Sequence, residues 1–174
     1  MAGLFLIGCN KKDSIDEFKD FAHDDIEATA TMNDSMQWIA NDVRLSYNAT
    51  GDSISIFFED RINSNCIVES IRLENIPVKL NSKTTLYNTK RGSDTSLPTA
   101  YYEAMDCDAI GEQYNLSNGN ELDNYLIIEK MSDGFIKGSF RLTLIHDKDG
   151  LPKIIYPNRP VTLRLTNGKF KGEL

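Results

Sequence analysis

Apolar and polar side chains alternate most cleanly in the last third of the chain. Between Phe135 and His146, Ile136, Gly138, Phe140, Leu142 and Leu144 fall on one face, and Lys137, Ser139, Arg141 and Thr143 on the other. A period of two with one apolar face predicts a strand of an antiparallel sheet, one side on a core and the other in water. Tyr125 to Met131 precedes it across Ser132-Asp133-Gly134, so the pair predicts a hairpin with glycine where positive φ is needed. Val161, Leu163 and Leu165 alternate with Thr162, Arg164 and Thr166. Asn167-Gly168 then predicts a two-residue turn into a short final strand at 169–171.

The same period starts near Ala28. Residues 36–47 and 53–59 predict a hairpin around Asn48-Ala49-Thr50-Gly51-Asp52, and Cys66 to Leu73 predicts a third run ending near Asn75-Ile76-Pro77. Val78–Leu80 and Thr84–Asn88 are shorter candidates, and Thr99–Met105 another strand. Lys90 to Pro98 reads as a loop by composition, and Asp108 to Asn120, with its Gly, Asn and Ser, as an irregular connection. Pro152, Pro157 and Pro160 hold 151–160 to an edge or loop. The expectation is an all-β protein: an antiparallel β-sandwich or barrel of roughly eight to ten short strands.

The first 27 residues break this pattern. Residues 10–27 are polar and acidic, and Ser14-Ile15-Asp16-Glu17 has the spacing of a helix capping box. Ile15, Phe18 and Phe21 follow at helical spacing, so a short helical or flexible tether is expected at 10–27 before a single β domain at 28–174. Ahead of the tether, Leu4 to Ile7 is apolar, Gly8 is small, and Cys9 leads at once into Asn10-Lys11-Lys12-Asp13. Leu6-Ile7-Gly8-Cys9 resembles the lipobox of bacterial lipoproteins, which implies diacylglyceryl and fatty-acyl chains on Cys9. Met1 to Gly8 is far short of the roughly 20 residues of a spanning helix. It also lacks the basic n-region of a complete signal peptide, so residues 1–9 read as a truncated signal. The competing reading is a short apolar N-terminus with an incidental cysteine.

Charge narrows the partners. Nineteen basic against 26 acidic residues give a net of −7, which argues against a nucleic-acid partner and equally against adsorption to anionic lipid by a basic patch. The distribution is uneven: Lys11 to Asp34 holds three basic and eight acidic residues, and Lys130 onward holds nine basic and four acidic. If Cys9 is acylated, Cys66 and Cys107 remain as an even pair in an oxidising envelope, where a disulfide is one reading and two small buried thiols the other. No Cys-x-x-Cys or His-x-x-x-His spacing occurs, so neither a metal nor a cofactor is expected.

Candidate chemistry is sparse. His23 and His146 read as surface or strand-end residues rather than bases. Glu103, Asp106 and Asp108 could pair as catalytic carboxylates only across a cleft. Asp147-x-Asp149-Gly150 fits a hairpin turn better than a calcium loop, and the acidic run 103–123 leaves weak cation binding open. Tyr101, Tyr102, Tyr114 and Tyr125 suit glycan stacking, a protein interface or half-burial in strands.

Cys9, Trp38-Ile39-Ala40, Gly134-Phe135-Ile136-Lys137-Gly138-Ser139-Phe140 and Leu165-Thr166-Asn167-Gly168-Lys169-Phe170 together resemble small β-rich lipoproteins of Bacteroidota. The stretch 90–125 is longer and more acidic than that pattern. The resemblance implies an exported, lipid-anchored β domain on the outer membrane, and no catalytic residue carries over. The function expected is a non-enzymatic binding or accessory subunit of a cell-envelope protein complex. A surface glycan-binding module is the alternative, and a calcium-dependent or hydrolytic enzyme comes third.

Overall fold

The computed structural model describes residues 27–89, 96–107, 109–118, 123–132, 135–148 and 159–173. Cys9, the tether and the capping box at Ser14 lie outside them, as do Asp108, Asp149 and most of 151–160. Among the described residues the alternating segments form eleven strands: β1 (Glu27–Met32), β2 (Met36–Ala40), β3 (Asp42–Tyr47), β4 (Ser53–Asn63), β5 (Cys66–Pro77), β6 (Lys83–Thr85), β7 (Thr99–Asp106), β8 (Ala109–Leu116), β9 (Tyr125–Ser132), β10 (Phe135–His146) and β11 (Thr162–Glu173). All pair antiparallel in one sheet, in the order β2-β1-β11-β10-β8-β7-β5-β4-β3. β9 lies along the first half of β10 and carries β6.

The two end strands of that path, β2 and β3, are separated only by Asn41. Its side chain replaces a ladder partner at this corner: the amide donates to the Arg61 carbonyl (2.8 Å), and the Arg61 N–H donates to Asn41 Oδ1 (3.0 Å). A strand that bends from one part of a sheet to another is a common way to turn a β corner. The sheet therefore curls until its halves face each other. Phe58 of β4 packs 5.1 Å from Phe140 of β10 and 5.2 Å from Phe170 of β11, although β4 is hydrogen-bonded to neither strand. Trp38 meets Phe140 edge-on at 6.5 Å. Ile54, Ile56, Ile71, Leu73, Leu126, Leu142 and Leu165 fill the space between with no more than 1% exposure. The all-β antiparallel expectation holds. The count exceeds the eight to ten expected because the 36–47 segment divides at Asn41 and the 108–120 connection supplies β8.

Three local expectations are overturned, the first being the short strand at Val78–Leu80, where only Leu80 makes a single bridge, to Ile128. The irregular connection expected at 108–120 is largely strand β8, whose polar residues pair with β7 from Asp106↔Ala109 to Tyr101↔Asn115. Asn167-Gly168 is not a turn, because β11 runs unbroken through it. Phe140 pairs with Gly168 and Leu142 with Leu165, so β11 carries one residue more than β10 there, and Asn167 absorbs it at φ 54°. This is a β-bulge, where a left-handed residue lets the strand bend without ending. Gly168 is needed beside it, since a Cβ there would lie 2.6 Å from both the Phe140 ring and its carbonyl oxygen.

Candidate functional site

Register places an acidic row on the inner face at one end of the body. Asp60 of β4 faces Glu69 of β5, Glu69 faces Ala104 of β7, and Ala104 faces Glu112 of β8. The next row inward is Phe58, Ile71, Tyr102 and Tyr114, which belongs to the core. Carboxylates thus continue the same period-two face that buries Ile54, Ile56 and Phe58. A carboxylate on a core face is stable only where donors meet it.

Arg159, which precedes β11, supplies them. Its guanidinium bonds Glu69 at 2.8 Å and lies 3.8 Å from Glu112, spanning the place in the row where Ala104 ends at a methyl group. It also donates to the Tyr102 hydroxyl and lies over that ring. Glu69 accepts a second bond from the Trp38 indole N–H at 2.9 Å, which ties β2 to the cluster. The Tyr114 hydroxyl donates to the Pro160 carbonyl at 3.0 Å, and its ring stands edge-on to Tyr102 and to His146. Burial works against the Arg159 charge, but the facing Tyr102 and Glu69 more than offset it and raise the guanidinium pKa. Burial raises the Tyr102 hydroxyl as well, so it stays a neutral donor and acceptor.

Asp60 differs from the other two carboxylates. It has no hydrogen bond or ion pair among the described residues, and burial followed by repulsion from Glu69 raises its pKa from 3.8 to about 6. A raised carboxyl pKa means the folded state binds the proton more tightly than the unfolded chain. The stability Asp60 contributes is therefore complete below about pH 4 and is lost as pH rises toward 6. Asp60→Asn is expected to stabilise the protein at pH 7 by about 1–2 kcal/mol, after discounting for partial exposure. That gain should shrink toward zero near pH 4. Urea melts of both proteins across this range measure the difference, and a gain independent of pH would contradict the assignment.

The opposite face of the same strands carries a second ionic cluster. Glu59 is 3% exposed and is held by Arg44 and Arg61, while Asp42 bridges the same two arginines at 3.3 and 2.9 Å. Alongside it, Arg72 lies 3.4 Å from the buried Glu103 and over the Phe57 ring.

The structure disperses most of the residues singled out from the sequence. Tyr102 and Tyr114 point into the core end, whereas Tyr101 bonds Glu74 on the other face and Tyr125 lies under Lys83. No shared stacking surface forms from these four. Glu103 lies on the opposite face of β7 from Ala104, Asp106 is exposed at the end of that strand beside Cys107, and Asp147 accepts a bond from Asn115 at 2.9 Å. Cys66 and Cys107 are joined by a disulfide with their Cα atoms 4.1 Å apart, which fastens the β4–β5 turn to the β7–β8 turn. Three residues inside it lie Glu69 and Ala104, so the bridge borders the acidic row.

Asp60, Glu69, Glu112 and Arg159 were not singled out from the sequence, apart from the place of Glu112 in the acidic run 103–123. The first three carry a readable signal, an acidic residue on an apolar face: Phe58-x-Asp60, Glu69-x-Ile71 and Glu112-x-Tyr114. Comparison with known protein families, curated proteins and solved structures finds no match for this chain. Among the described residues, no helix is long and apolar enough to cross a membrane.

Proposed function

We propose that the protein is an outer-membrane lipoprotein, tethered through Cys9, whose β body is a non-enzymatic binding or accessory subunit of a cell-envelope protein complex. The observation that carries this reading is the division of the three cysteines. Cys66 and Cys107 bond to each other, which leaves Cys9, at the end of the apolar Leu4–Ile7 run, as the remaining one. A disulfide suits an oxidising compartment, and a cysteine between an apolar run and a polar tether suits acylation. In the acidic row Glu69 and Glu112 are engaged by Arg159, with Trp38 as a second donor to Glu69, in bonds that hold elements together. Met36 and Ile39 on the end strand β2 are about half exposed and offer apolar contact to a partner.

The native protein, extracted from membranes in mild detergent, is expected to show an intact mass beginning at Cys9 plus acyl groups. Cys9→Ser is expected to move it to the soluble fraction. A native chain that retains residues 1–8 without acyl mass would overturn the anchor. Affinity purification from the native membrane tests the accessory role, since recovery of the protein alone refutes it.

A further inference from the structure

Although the chain is acidic overall, cations gather on one outer face. Lys130 of β9 sits directly opposite Lys137 of β10, and Lys137 opposite Lys171 of β11. Lys169, Arg141 and Arg164 project from the same side of these strands, against the carboxylates Glu27, Glu129 and Glu173. Like charges directly opposite in a ladder repel, and of these three lysines Lys171 is the one with an acidic neighbour in register, Glu27 of β1. Lys130, Lys137 and Lys169 have no ion pair among the described residues, and Lys171 lies 5.1 Å over the Phe135 ring. Two shallow depressions share Lys137 and Lys171. One, of about 290 Å³, is bordered by Lys130 and Phe135, and the other, of about 350 Å³, by Lys169 together with Glu27 and Glu129.

The point of attachment adds a second argument. β1 opens at Glu27, opposite Lys171, so residues 10–26 join the body at the edge of the lysine row. Seventeen residues reach at most roughly 60 Å from Cys9 to that edge. An anchor at Cys9 therefore keeps the whole body, this edge included, within that distance of the membrane.

We infer that the outer face of β9, β10 and β11 is the face the body turns to the membrane, with Lys130, Lys137 and Lys171 engaging the phosphates of anionic lipid headgroups. This rests on the anchor at Cys9 for its biological setting. A basic patch beside an acyl anchor supplies a second attachment signal, and it acts only within a Debye length of the surface.

The test uses the full chain carrying Cys9→Ser, made without export and so free of acyl groups. Cosedimentation is measured with vesicles of phosphatidylcholine alone and with vesicles that also contain phosphatidylglycerol, at low and high salt. Binding is expected only to the anionic vesicles, weakening with salt. The triple substitution Lys130→Gln, Lys137→Gln and Lys171→Gln is expected to lower it on the order of a hundredfold, at about one kcal/mol per lysine. Lys79→Gln with Lys148→Gln should leave it unchanged, and a triple Lys→Arg variant should retain it. Equal binding to both vesicle types, no binding, or preferential capture by a soluble acidic polysaccharide overturns the inference. Because this protein is unacylated, a negative result sinks the basic face, while a native mass without acyl groups sinks the anchor.

Discussion

Gly138→Val is expected to destabilise the protein by more than about 4 kcal/mol and to prevent accumulation of folded protein at 37 °C. A Cβ built at Gly138 lies 2.1 Å from the Ile127 carbonyl oxygen and 2.7 Å from two atoms of the Phe170 ring. The nearest obstacle is backbone of the neighbouring strand β9, so no rotamer change relieves it. β9 also bulges here: Lys137 pairs with Lys130 but Gly138 with Ile128, so β9 contributes one extra residue. The bulge and the missing side chain together let the Phe170 ring lie across the ladder against Phe58. Overpacking of a well-filled core costs about 1–3 kcal/mol when side chains can adjust, and a backbone clash exceeds that. Even Gly138→Ala should lower Tm by roughly 8 °C or more for a chain of this size. Adding Phe170→Leu should not restore it, because the carbonyl contact remains. Gly51→Ala is the control: a Cβ there meets nothing within 4 Å, and only its φ of 75° is disfavoured, which costs about 1 kcal/mol. Thermal melts of Gly138→Ala, of Gly138→Ala with Phe170→Leu and of Gly51→Ala decide the matter, and a Gly138→Ala protein as stable as Gly51→Ala would refute the packing argument.

The fold was legible where one face of a strand is apolar. β9, β10 and β4 follow period two closely, and their boundaries fall within a few residues of the sequence reading. β8 was missed because Gly111, Asn115 and Ser117 look like loop chemistry. In place, Gln113 and Asn115 hydrogen-bond to each other, and Asn115 donates to Asp147. Asn167 misled for another reason. It takes a left-handed φ of 54° inside a continuing strand, and the same conformation serves a hairpin turn equally well. A bulge differs from a turn only in whether a partner strand continues past it, which local sequence does not encode. The candidate site was hidden by distance along the chain. Asp60, Glu69 and Glu112 each interrupt an apolar face visibly, but their common row depends on the β4-β5-β7-β8 order. Arg159 arrives 47 residues after Glu112, from a segment whose prolines suggested only an edge.

Removing the Cys66–Cys107 bridge is expected to cost about 4 kcal/mol. The two cysteines are 41 residues apart, and in the chain-entropy model a loop of that length confers about this much by restricting the unfolded chain. Alanine is the better probe at Cys66, which is 7% exposed and packs as a small apolar residue. Urea unfolding of Cys66→Ala/Cys107→Ala, and of the wild type under reductant, should both show a lower midpoint. Native-state hydrogen exchange should localise the effect as well as its size. The bridge ties two hairpin ends that Glu69, Ala104 and Glu112 lie just inside, so amides of 104–112 should lose protection before those of β10 and β11. Thiol counting on exported, unreduced protein should find no free thiol at Cys66 or Cys107. Two free thiols there, or a reduced protein within 1 kcal/mol of the oxidised one, would remove both the staple and the main support for an oxidising compartment. The acidic row makes the local outcome decisive. If reduction leaves 104–112 protected, Arg159 and its bonds to Glu69 and Tyr102 hold that end unaided, and the ionic cluster rather than the disulfide is what fixes β5, β7 and β8 in register.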